Sequence, residues 1–148
     1  MKYILAFTIA FISLASIKGQ NTNPVTWQAT YKAGSATEGE IILTATIEKG
    51  WHTYSQKVVA DGPIATSFTF TPSKQYSLVG KTEESKAHEE YVKAFEAKIS
   101  VFTDKAEFRQ KIKHSGKPAS VAIKAEYMCC NDMMCLPPKT IDLTVKVQ

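Results

Sequence analysis

The chain has 148 residues, 44% apolar and 22% charged, with three cysteines and a formal net charge of +4. That length supports one domain with a true core, and the composition excludes a disordered chain. The charge falls to +2 once Lys2 and Lys18 are set aside, too weak a field to argue for nucleic acid.

The first residues read as an export signal. Lys2 precedes an apolar run from Tyr3 to Ala15, broken only by Thr8 and Ser13, and Ser16-Ile17-Lys18-Gly19-Gln20 follows. A positive start, a short apolar middle and small residues before a cut form the pattern of a cleavable signal. The run is short against the roughly 20 residues of a membrane span. Residues 1–19 are therefore predicted to be removed, leaving residues 20–148 as one exported domain. No cysteine lies near the cut to carry a lipid. Export matters because the compartments it leads to oxidise thiols.

Val25–Lys32 alternates weakly, with Val25, Trp27, Ala29 and Tyr31 on one side, and residues 33–39 are a turn by composition. Glu40–Glu48 is a clear strand, with Ile41, Leu43, Ala45 and Ile47 sharing a face. Lys49-Gly50 breaks it, and Trp51–Ser55 resumes as a short strand in which His52 and Tyr54 oppose Trp51, Thr53 and Ser55. Ala60-Asp61-Gly62-Pro63 is a turn, Ser67–Thr71 a strand, and Tyr76–Val79 a further short one. Lys81–Lys93 is crowded with charge and lacks an apolar stripe, so it is predicted to be a long mobile loop with Tyr91 turned inward. Phe95–Val101 alternates again. Asp104–His114 fits either a strand or a short helix capped by Asp104. Val121–Tyr127 and Ile141–Val147 are two further alternating segments.

Some eight short strands at regular spacing, with no convincing amphipathic helix, predict an all-β fold. The expected architecture is an immunoglobulin-like antiparallel β-sandwich, with a closed barrel as the alternative. No cysteine lies in an early strand to bridge the two sheets as in antibody domains.

All three cysteines fall in Tyr127-Met128-Cys129-Cys130-Asn131-Asp132-Met133-Met134-Cys135-Leu136-Pro137-Pro138, between the last two strands. An odd number leaves at least one cysteine without an internal partner. Adjacent Cys129 and Cys130 are poor partners for each other, whereas Cys130 with Cys135, or Cys129 with Cys135, would each close a small loop. Stabilisation by a cross-link grows with loop length, and even a 15-residue loop gives only about 3 kcal/mol. A bridge this local suits exchange better than reinforcement. Asn131 and Asp132 favour a turn between the thiols, and Pro137-Pro138 stiffens the exit. Lys139 and the histidines are candidates for lowering a thiol pKa, although His52, His88 and His114 show no spacing that marks them as ligands or as a base.

This segment resembles the cysteine segment of the N-terminal periplasmic domain of DsbD, the thiol:disulfide interchange protein. The family pattern of a tyrosine, a cysteine three residues on, a second cysteine, an apolar residue and two prolines falls on Tyr127, Cys130, Cys135, Leu136, Pro137 and Pro138. Gly50–Ser55 and Gly62–Phe68 also resemble family segments, so the likeness spans roughly Val25 to Val147. The resemblance implies an immunoglobulin-like domain in the periplasm that works as a thiol-disulfide oxidoreductase of the relay kind. It implies Cys135 as the attacking thiol and Cys130 as the resolving one, with no cofactor. It implies as partners a membrane-embedded thiol reductant and thioredoxin-like periplasmic proteins. It also implies a cap over the pair, for which Lys81–Phe95 with Tyr91 as its lid aromatic is the candidate. Cys129 and Tyr127 stand as possible accessories, Cys129 being a departure from the pattern. The chain ends after one domain, so the resemblance implies an intermolecular relay.

Two alternatives stand beside it. Cys129, Cys130, Cys135, Met133 and Met134 are soft donors suited to Cu(I), although the spacing matches no zinc pattern. A non-catalytic exported sandwich with a structural disulfide, binding another protein, is the other.

Overall fold

Alternating apolar residues can bury one face of a strand only if a second layer covers it, and here they do so over almost the whole chain. The computed structural model describes residues 23–148, and the predicted export signal lies outside them. In chain order the strands are β1 (Val25–Ala33), β2 (Glu38–Ile47), β3 (His52–Tyr54), β4 (Ser67–Phe70), β5 (Tyr76–Glu84), β6 (His88–Val92), β7 (Ala97–Phe102), β8 (Lys105–His114), β9 (Ala119–Tyr127), β10 (Cys129–Cys130) and β11 (Lys139–Val147). A single 3-10 turn, Lys93–Phe95, is the one helical element among the described residues.

All pairings are antiparallel, in three sheets of order β1-β2-β8-β5, β11-β9-β4 and β10-β3-β7-β6. The fold is an immunoglobulin-like β sandwich. Its main core joins the inward faces of the first two sheets: Ile41, Leu43 and Ala45 of β2 and Phe108 of β8 meet Val121 and Ile123 of β9. Each aliphatic side chain so buried is worth roughly 1.5–3 kcal/mol against exposure. Phe108 lies 5.8 Å from Trp27, 4.9 Å from Phe68 and 5.5 Å from Phe102, ring centre to ring centre. A second, smaller cluster of Tyr54, Val92, Ile99, Val101 and Cys130 belongs to the third sheet.

The turn from β2 to β3 aims the third sheet. Gly50 sits at φ 85°, a conformation side-chain-bearing residues rarely adopt, and Trp51 N–H closes the turn on the Glu48 carbonyl at 3.0 Å.

The structure corrects two expectations and settles a third. Eleven strands form among the described residues where some eight are predicted. Lys81–Lys93 is not a loop: β5 runs on to Glu84 and β6 covers His88–Val92. Both are edge strands, where the neighbour supplies the backbone hydrogen bonds and charged side chains can point to water. Charge there marks the solvent face, not the absence of a strand. Asp104–His114 is strand, with Ala106, Phe108, Gln110, Ile112 and His114 all buried in strict alternation. Asp104 sits at φ 60°, as a turn residue and not a helix cap.

Glu84 ties the edge of the first sheet to the exit of β3. Its carboxylate accepts Ser55 Oγ at 2.6 Å and the Gln56 N–H at 2.8 Å.

Candidate functional site

The sulfur chemistry is held by a hairpin that begins in a two-residue strand. β10 pairs with β3, Cys129 opposite Thr53 and Cys130 opposite His52. Thr53 Oγ1 anchors the approach by donating to the Met128 carbonyl at 2.9 Å. The loop is then shaped by Asn131, whose Oδ1 accepts the N–H groups of Met133 and Met134 at 2.9 and 2.8 Å. The Asn131 N–H donates to the Met134 carbonyl and the Leu136 N–H to the Cys129 carbonyl, each at 2.9 Å. This is the turn expected of asparagine, whose short amide mimics a backbone turn. Pro137-Pro138 keeps the chain out of the sheet until β11 starts at Lys139.

Cys130 and Cys135 form an antiparallel bridge and a disulfide, with Cα atoms 4.0 Å apart and five residues of sequence separation. Of the two pairings left open by the sequence, this is the one formed. The two sulfurs live in different surroundings. Cys130 is fully buried in the cluster with Tyr54, Val92, Ile99 and Val101. Cys135 is partly exposed and lines a cleft of about 300 Å³ with His52, Glu90, Tyr91, Asp132 and Met134.

Two side chains of β3 stand against the pair. His52 Nε2 lies 3.1 Å from the Tyr54 hydroxyl, and both residues are buried. Burial lowers the His52 pKa from its ordinary 6.5, and His88 adds to this, while Glu90 and Asp132 pull the other way. Burial also drives the Tyr54 phenol well up. Phe95, from the 3-10 turn, packs against the same cluster, its ring 6.1 Å from that of Tyr54.

Cys129 is elsewhere. Successive strand residues point to opposite faces, and Cys129 enters the main core, free and buried. Desolvation pushes its thiol up to about 11, with Lys139 pulling it slightly back. Tyr127 lies on that same side, 5.4 Å from Trp27, its hydroxyl donating to Asn23 Oδ1 at 3.3 Å. Cys129, Tyr127 and Lys139 line a separate cavity of about 370 Å³. The accessories Cys129 and Tyr127 are thus placed away from the disulfide, and Lys139 acts on Cys129.

Tyr91 is brought to the cleft, but as an exposed rim residue and not turned inward, because the alternation of β6 gives the buried position to Val92. The soft donors imagined for copper do not converge: Cys129 faces the other layer, Cys130 and Cys135 are bonded to each other, and Met133 is 85% exposed. His52, one of the histidine candidates, and Phe95, at the end of the cap candidate, are the neighbours whose contacts with the pair the sequence did not show. The one available signal for His52 was its alternation with Tyr54, and nothing in the sequence gives the β3–β10 register.

An immunoglobulin-like sandwich that carries a small disulfide hairpin beside a cleft defines the class of the molecule. Residues 20–146 match the family model "Thiol:disulfide interchange protein DsbD, N-terminal", and the chain belongs to that family. It is similar in structure to the N-terminal domain of Neisseria meningitidis DsbD in the reduced form, with a TM-score of 0.55 and 18% identity over 82% of this chain and 90% of that one. It is similar also to the N-terminal periplasmic domain of ScsB from Proteus mirabilis, with a TM-score of 0.55 and 17% identity over 81% of this chain and 44% of that one. At such identities the likeness is one of fold. Among curated proteins there is no match. Among the described residues, no helix is long and apolar enough to cross a membrane.

Proposed function

We propose that the chain performs thiol-disulfide exchange in the periplasm, passing electron pairs from a membrane-embedded thiol reductant to oxidised thioredoxin-like proteins. Family membership supports the reaction class, and the unequal burial of Cys130 and Cys135 is the observation that carries the assignment of roles.

In the reduced chain the Cys135 thiolate attacks one sulfur of a partner disulfide. A bond forms between Cys135 and that sulfur, and the partner's other sulfur leaves with the electron pair and is protonated. Cys130 then attacks Cys135, the Cys130–Cys135 bond forms and the partner's second thiolate departs. The partner gains two electrons and two protons, and the reductant later restores the dithiol. Only the accessible sulfur can meet a partner, and only the buried one is kept for the intramolecular step. The segment from Glu90 to Phe95 acts as the cap, with Phe95 packed on the cluster and Tyr91 at the rim. Residues 1–19 direct export and are then removed, which N-terminal sequencing of the exported protein checks.

The test of roles uses Cys135→Ser and Cys130→Ser with a thioredoxin-like partner. Cys130→Ser should accumulate a mixed disulfide through Cys135, and Cys135→Ser should form none. Exchange by Cys135→Ser at the wild-type rate sinks the assignment.

A further inference from the structure

A buried thiol has to lose its proton before it can attack, and Cys130 has no direct path to water. The strand register supplies one group in place. His52 is the cross-strand partner of Cys130, and side chains directly opposite on an antiparallel pair share a face with Cβ atoms about 4.5–5.5 Å apart. His52 is 7% exposed and lines the same cleft as Cys135, so it links the strand position opposite the buried Cys130 to the solvent-reaching space. The Tyr54 hydroxyl holds Nε2 at 3.1 Å, and the two rings meet edge to face at 5.3 Å.

We propose, on the strength of the exchange function above, that His52 carries the proton of Cys130 to and from the cleft. In the closing step the imidazole takes the proton from the Cys130 thiol. The sulfur then bonds to Cys135, the Cys135–partner bond breaks, and the departing partner thiolate takes up a proton from the imidazolium or from water. In the opening step the imidazole takes the proton of an incoming thiol, whose sulfur bonds to Cys135; the Cys130–Cys135 bond breaks with its electron pair on Cys130, and the imidazolium so formed protonates that sulfur. His52 changes charge and returns, and no electrons rest on it.

The charged and titratable groups around the ring come from three places: Tyr54 on its own strand, His88 and Glu90 on β6 with Lys93 just beyond it, and Asp132 on the disulfide loop. Burial outweighs the two carboxylates and keeps the imidazole pKa below its ordinary value, so the neutral, proton-accepting form prevails at neutral pH. Closing therefore accelerates as pH rises through that lowered pKa.

Stopped-flow reaction of the reduced protein with an aromatic disulfide reagent separates the steps, since one coloured thiolate leaves on attack and a second on closure. His52→Gln should slow the second phase at pH 7 by about tenfold or more and remove its low-pH inflection, while the first phase stays within about twofold. An unchanged second phase with an unchanged pH profile overturns the role of His52 and leaves exchange intact. A wild-type protein without a first phase overturns exchange itself. The wild-type protein gives an independent reading that needs no variant to fold: the His52 imidazole, followed by NMR, should titrate differently in the dithiol and disulfide forms. Superimposable curves overturn the proposal.

Discussion

Cys129 and Cys130 are bonded neighbours in one two-residue strand, yet their side chains enter different hydrophobic clusters. The pleat that separates them keeps the third thiol out of reach of the disulfide. With its pKa pushed from 9.0 to about 11, Cys129 carries a thiolate population roughly a hundredfold smaller than an ordinary thiol at neutral pH. The native oxidised protein should therefore take up no alkylating reagent at pH 7, and one equivalent only after unfolding. Mass mapping of the alkylated site checks this, and fast native labelling of Cys129 contradicts it.

Stability should form a plateau in pH with a defined fall on each side. The His52 pKa is lowered in the folded state, so its contribution is present above the ordinary 6.5 and is lost as pH falls below it. Cys129, Tyr127, Tyr76 and Tyr54 are all raised, so theirs is present below their ordinary values of 9.0 and 10.0 and is lost as pH rises beyond them. Thermal melts from pH 5 to 11 should show Tm falling at both ends, with the alkaline slope reduced in Cys129→Ala. An alkaline slope identical in that variant and the wild type would remove Cys129 from the account.

Asn131→Ala should make the disulfide easier to reduce. The variant loses the two side-chain hydrogen bonds that fold the loop. In the reduced chain those bonds hold the two thiols together, so their loss, about 1 kcal/mol, lowers the effective concentration for closure and moves the potential about 20 mV towards less negative values. Equilibration against glutathione measures it, and a shift towards more negative values contradicts the reading.

Phe95→Ala and Tyr91→Ala should differ. Phe95 packs against the cluster that holds Cys130, whereas Tyr91 is 58% exposed at the rim. Reduction by dithiothreitol should quicken several-fold, roughly, in Phe95→Ala and hardly at all in Tyr91→Ala. Equal rates in all three proteins would argue against a cap.

Phe108→Ala tests the frame on which the hairpin rests. Its ring meets Trp27, Phe68 and Phe102 in the main core, and the truncation should cost about 3–5 kcal/mol in urea unfolding. A loss below about 1 kcal/mol would mean that the core collapses around the gap.

The sandwich was legible wherever one face of a strand is buried. Ile41, Leu43, Ala45 and Ile47 are all core, as are Val121, Ile123, Ala125 and Tyr127, because a period of two survives only where solvent lies on one side. β6 was not legible, since Glu89, Glu90 and His88 obey the needs of an edge, where backbone pairing comes from β7. A cysteine loop between the last two long strands was legible from residue types, which left open whether Cys129 or Cys130 pairs with Cys135. The position of His52 was not, because a cross-strand register between distant segments leaves no spacing in the sequence. Phe95 was hidden for the same reason: its contact with Tyr54 depends on how the third sheet folds, not on its own alternating segment.

The hydrogen bonds that shape the loop, from Asn131 and from Leu136 to Cys129, do not involve the sulfurs. Cutting the disulfide removes none of these bonds directly, so on the proposed function they keep the two thiols at high effective concentration. On the proposed exchange function, such a loop opens and closes its disulfide with little rearrangement of the backbone around it.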